Sequence, residues 1–146
     1  MATALEGRLQ LQSWAEREWN SYRGRMLRGW SNLMASRFGR PVWLVGGALE
    51  HAAPRDIDVR VVVSASEFES RFGSWKDWGY SLISLDRQDE QRRWHLEMAK
   101  LNRQGAGATQ LPVDFQVDPL PEAMKYESKR RRRLDDVNGI VPPWED

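Results

Sequence analysis

Hydrophobic positions in the first forty residues recur with a helical period. Leu11, Ala15, Trp19, Tyr22, Met26, Trp30, Leu33 and Phe38 fall every three to five residues, a spacing that lines one face of an α-helix and predicts a long helix over about 5–38. Gly24 and Gly29 interrupt it and mark a bend or break, and Gly39 with Pro41 ends it. Two strands are expected next, "VWLV" at 42–45 and "IDVRVVV" at 57–63, separated by two glycines and a short helical turn of about Ala48 to Ala52. Ser64 and Glu67 have capping-box spacing, and Phe68, Phe72, Trp75 and Trp78 continue a helix over 65–78 that Gly79 closes. "YSLISL" predicts a third strand. In "RWHLEMAKL" the composition favours helix, but Trp94, Leu96 and Met98 alternate, and the segment is assigned as a strand. "NRQGAGATQ" then serves as a hairpin connection to "LPVDFQV", a last strand carrying Asp114.

This order of elements predicts an α/β, or more strictly α+β, fold with a mixed sheet of about four or five strands flanked by helices. The chain has 146 residues, 40% hydrophobic and 29% charged, which suits one globular domain over 1–124 with a core at about 40–118. Neither a signal peptide nor a membrane span is expected, so a cytoplasmic location is the default. Without cysteine, and with only two histidines, a metal would be held by carboxylates. His51 and His95 have no carboxylate or serine at motif spacing and are not assigned a catalytic role.

Charge is distributed unevenly. Residues 1–124 carry 16 Lys and Arg against 16 Asp and Glu, whereas 129–133 read KRRRR. The stretch 125–146 is accordingly expected to be a basic tail. Its residues Lys129, Arg130, Arg131, Arg132 and Arg133 either contact nucleic acid or form a solvated end. The chain's eight tryptophans point chiefly to a core, with a stacking surface as the alternative.

Candidate chemistry lies between the first two strands. Side chains two apart on a strand share a face, about 6.5 Å apart at the backbone, so Asp56 and Asp58 can converge on one small volume. Adjacent carboxylates repel, and Mg²⁺ relieves that repulsion with oxygen ligands. Gly46 and Gly47, between a strand end and a helix start, allow backbone N–H groups to approach an anion closely. Phosphate on amides and metal on aspartates describe a nucleoside triphosphate site.

The run "GGALEHAAPRDIDV", followed by a strand, a helix and a later apolar strand with Asp114, resembles the signature of the DNA polymerase β-type nucleotidyltransferase superfamily. The proline and basic residue before DID look like the version in the heads of tRNA nucleotidyltransferases, and the layout of 79–117 is similar to that of small antibiotic nucleotidyltransferases. The resemblance spans about 40–118. Only eight residues separate Gly47 from Asp56, at the short end of the family's range, and no large C-terminal substrate domain is expected within these 146 residues. The resemblance implies a minimal member whose site is completed by an oligomer or a partner protein.

The resemblance further implies Mg²⁺- or Mn²⁺-dependent transfer of a nucleotidyl group from a nucleoside triphosphate to a hydroxyl on an RNA end, a small molecule or a protein. Asp56, Asp58 and Asp114 would be the catalytic metal ligands. Gly46 and Gly47 would seat the phosphates, and Arg55 would neutralise them. Two other classes stay open: a nucleic-acid-binding or assembly module on the same fold, and a regulatory toxin or antitoxin component.

Overall fold

The computed structural model describes residues 12–74, 88–120 and 130–145, with side chains described from 92 onward in the second of these. Its elements are α1 (Trp14–Glu18), α2 (Tyr22–Phe38), β1 (Val42–Val45), the single turn α3 (Gly47–Glu50), β2 (Ile57–Val63), α4 (Ala65–Phe72), α5 (Gln88–Thr109), β3 (Val113–Pro119), β4 (Arg131–Arg133) and a 3₁₀ turn at Pro143–Glu145. The four strands form one mixed sheet in the order β3-β2-β1-β4. β1 is antiparallel to β2 and β4, and β2 is parallel to β3. The fold is thus mixed α/β with helices flanking the sheet, as the pattern predicts.

One face of the sheet is apolar. Leu44, Val59, Val61, Val63, Phe115 and Val117 are fully buried there with Trp30, Met34, Phe38, Met98 and Leu101 from the helical layer. Trp30 meets Phe115 edge-on at 5.3 Å between ring centroids, a favoured aromatic arrangement. Gly105 lets α5 approach α2, since a Cβ there would lie 2.8 Å from the Trp30 ring. Alternate residues on the strands, Asp58, Arg60, Asp114, Gln116 and Asp118 among them, are half-buried on the opposite face.

Several expectations are corrected. The N-terminal segment is broken, as its glycines suggest, between Glu18 and Tyr22, where Ser21 caps α2 by accepting from the Gly24 N–H. A Cβ on Gly24 would come within 1.9 Å of the Glu18 carbonyl oxygen, so glycine permits the sharp turn. The buried face of α2 is Gly24, Leu27, Trp30, Ser31, Met34, Ala35 and Phe38. Tyr22 and Leu33, expected on that face, are 66% and 65% exposed.

The larger correction concerns 92–110. The assigned strand and hairpin are one helix, α5, of 22 residues. Trp94, Met98, Leu101, Gly105 and Thr109 recur with helical spacing and are buried or half-buried, while Leu96, which produced the apparent alternation, is 61% exposed. β3 consequently joins β2 in parallel. Its outer edge is covered by α5: Asn102 Nδ2 donates to the Phe115 carbonyl at 2.9 Å, and its Oδ1 accepts from the Phe115 N–H at 2.7 Å. Trp94 Nε1 donates to the Val117 carbonyl at 3.0 Å. These side chains occupy backbone groups that an edge strand otherwise leaves open.

The Ser64–Glu67 capping box is present, but α4 ends at Gly73, whose N–H donates to the Glu69 carbonyl, rather than at Gly79. The expected "YSLISL" strand, Trp75, Trp78 and Gly79 lie outside the described residues.

The basic run is not a free tail. Arg131, Arg132 and Arg133 pair with Val45, Leu44 and Trp43 as β4. Asp135 anchors the segment beneath the sheet edge, its carboxylate accepting from the Val42 N–H at 2.8 Å and from Arg133 at 3.0 and 3.1 Å. Among the described residues, no helix is long and apolar enough to cross a membrane.

Candidate active site

β1 runs into the turn at Gly46, which takes φ +71° and ψ −146°, a combination that β-carbon-bearing residues avoid. The turn presses Gly46 against the next strand, where a Cβ would lie 2.4 Å from Asp58 Oδ2. Gly47 opens α3 without a positive φ, and a Cβ on it would make ordinary contacts at 3.5 and 3.6 Å with Pro54 and His51. Of the two glycines, Gly46 is the one the geometry requires.

Asp58 is set opposite Val45 on β1 and Asp114 on β3. The parallel register therefore places two carboxylates side by side across the β2–β3 pair, on the face opposite the described helical layer. Burial pushes the Asp58 pKa above the usual carboxylate range. Arg60 works against that shift, while the charges of Asp114 and Asp56 and a side-chain hydrogen bond with Asp114 add to it.

Arg60, two residues beyond Asp58, shares its face. It donates to the Asp114 carbonyl oxygen at 2.6 Å and lies 3.6 Å from the Asp114 carboxylate and 3.9 Å from that of Asp118. This guanidinium fixes the backbone and carboxylate of Asp114 together. The Asp114 side chain is nonetheless 42% exposed, open to a ligand arriving from solvent.

The predicted residues thus separate into two sets. Gly46, Gly47, Asp58 and Asp114 gather at the strand ends. Asp56 stands one residue before β2, exposed, with its charge felt at Asp58. Arg55 is exposed and has no ion pair among the described residues. No three His, Cys, Asp or Glu side chains among the described residues are close enough together to hold a metal ion. The crowded Asp58–Asp114 pair fits a divalent cation nonetheless: two oxygen donors of like charge with one partly compensating guanidinium.

Arg60 and Asp118 escaped the sequence reading, although a period of two from Asp58 and from Asp114 placed both on the acidic face. Arg130 to Arg133 contribute differently from what was expected. Arg130 donates to the Leu49 carbonyl at 3.3 Å. Arg131 lies 5.0 Å from the Trp43 ring and 4.4 Å from that of Trp144, Arg132 lies 3.5 Å from the Trp19 ring, and Arg133 binds Asp135. Each is engaged within the fold, while Lys129 lies outside the described residues.

Comparison with family models, with curated proteins and with solved structures finds no match.

Proposed function

We propose that this chain transfers a nucleotidyl group from a nucleoside triphosphate to an acceptor hydroxyl, with Asp58 and Asp114 at the reacting end and Gly46 and Gly47 beside the phosphates. The observation that carries the reading is the Asp58–Asp114 pair, set across adjacent parallel strands directly against the Gly46 turn. A half-buried aspartate pair side by side on a sheet face is costly in repulsion, and a cation-bound anionic substrate offsets that cost.

In the transfer, an acceptor oxygen forms a bond to the α-phosphorus as the bond to the β-phosphate oxygen breaks, and pyrophosphate leaves. Mg²⁺ or Mn²⁺ held by Asp58 and Asp114, with Asp56 adjoining, would supply positive charge against the charge developing on the phosphoryl oxygens. Asp114, more exposed than its neighbour Arg60, would orient the acceptor hydroxyl and accept its proton. Arg60 would hold Asp114 in place for that task. Gly46 keeps the approach to Asp58 clear, and Arg55, exposed beside Asp56, is available to the triphosphate.

Calorimetric titration with each of the four common ribonucleoside triphosphates tests the substrate class. Binding of at least one in Mg²⁺, and its loss in Asp58→Asn, is the expected result. Equal binding by parent and variant would remove Asp58 from the site. The engagement of Arg130 to Arg133 inside the fold gives the nucleic-acid-module reading no comparable support.

A further inference from the structure

We propose a second binding site, for a small phosphate-bearing ligand, in the cavity between α2 and the segment that follows β4. This cavity has a volume of about 390 Å³ and is lined by Trp19, Arg25, Arg28, Asn32 and Asp136, with Arg133 and Asp135 at its base. Its size is that of small-molecule sites. Arg25, Arg28 and Asn32 belong to α2, which packs on the apolar face of the sheet through Trp30, Met34 and Phe38. The cavity is therefore on the opposite side from Asp58 and Asp114 and is not part of the acidic site.

Its cations are left over once the internal pairs are made. Arg133 and Asp135 neutralise one another. Arg28 stands 5.4 Å from the Trp19 ring, and its Nε is buried without a hydrogen-bond partner. Arg28 also lines the cavity and has no ion pair among the described residues, so an anion there would give its guanidinium group a partner. Arg25 is exposed and has no ion pair among the described residues. Asn32 Oδ1 accepts from the Asp136 N–H at 2.9 Å, which joins α2 to the far wall. Guanidinium forks match the oxygens of a phosphate group, and two guanidinium groups without an ion pair among the described residues favour a dianion over a carboxylate. The volume leaves room beyond the phosphate for a small organic moiety. Occupation would bridge α2 to the C-terminal segment and hold β4 in place.

Calorimetry and thermal unfolding at constant ionic strength test this, using inorganic phosphate, ribose 5-phosphate, ribose and potassium chloride. The phosphate-bearing probes are expected to bind and raise Tm, with ribose and chloride inert. Tighter binding of ribose 5-phosphate than of inorganic phosphate assigns a phosphate ester, and equal binding assigns the free anion. Arg25→Gln and Arg28→Gln should each weaken binding about tenfold or more, and Asp136→Asn should tighten it. Exposed Arg92→Gln, on α5, should change nothing, which separates the cavity from overall charge. Asp58→Asn should also leave binding intact, so the proposal stands apart from the nucleotidyl-transfer reading. Failure of both phosphate probes to bind at millimolar concentration would overturn it. So would undiminished binding in Arg25→Gln, whose exposed position makes a folding failure irrelevant, or loss of binding in Asp58→Asn.

Discussion

Gly46 and Asp58 are in such close apposition that a single methyl group on the first would come 2.4 Å from Oδ2 of the second. With φ at +71°, Gly46→Ala meets both the clash and the backbone strain, which alone costs about 1–3 kcal/mol. Chemical denaturation should show a loss of at least that size, together with loss of nucleotide binding. Gly47→Ala, with only ordinary contacts, should lie within about 1 kcal/mol of the parent. Similar losses for the two variants would contradict the assigned turn.

Asp58→Asn removes one of two repelling carboxylates and leaves the fold's packing unchanged. In metal-free buffer at neutral pH its Tm should equal or exceed that of the parent, because burial and neighbouring charge disfavour the ionised Asp58. Added Mg²⁺ with a nucleoside triphosphate should raise Tm in the parent and not in the variant. A large metal-free loss in Asp58→Asn would instead make this carboxylate a structural element.

Much of this arrangement could be read from the sequence, and the failures have identifiable causes. β2 was legible because its valines and its bounding turn agree, and Asp114 because prolines frame its strand. α5 was misread from three residues: Leu96 made an alternation with Trp94 and Met98, whereas the buried series runs through Leu101, Gly105 and Thr109. Glycines at 105 and 107 reinforced the error, since the Gly105 contact with Trp30 that rewards a small residue in a helix is nonlocal. Four successive arginines carry no period at all. Their place as β4 is set by β1, by Asp135 and by tryptophans distant in sequence, which no local pattern records.

That distant anchoring makes the C-terminal segment part of the fold's stability. The Asp135 side chain has 0% exposure and also accepts from the Val137 N–H at 3.2 Å. Asp135→Ala leaves the Val42 and Val137 N–H groups without their acceptor and Arg133 with the Val137 carbonyl, and should cost about 1–3 kcal/mol, followed by urea denaturation. A cost near zero would restore the picture of a solvated tail.

Glu67 gives a pH dependence of known sign. Burial acts to raise its pKa, but hydrogen bonds from Arg40 and Ser64 prevail and hold it below the usual glutamate range. Its stabilising contribution is therefore present above an ordinary pKa of about 4.3 and is lost as pH falls through the depressed folded value. Glu67→Gln should cost about 1 kcal/mol at neutral pH and flatten the acid limb of the stability profile. An unchanged acid limb in the variant would remove Glu67 from the acid response.

Nucleotidyl transfer itself is tested most directly by the fate of the α-phosphate. The protein is incubated with Mg²⁺ or Mn²⁺, a mixture of RNA, protein and metabolites, and each nucleoside triphosphate labelled in turn at the α- and γ-positions. The account predicts that α-label enters an acceptor, γ-label leaves as pyrophosphate, and both Asp58→Asn and Asp114→Asn abolish the transfer. Transfer of γ-label to the acceptor, transfer undiminished in either variant, or no transfer from any of the four nucleotides would contradict it.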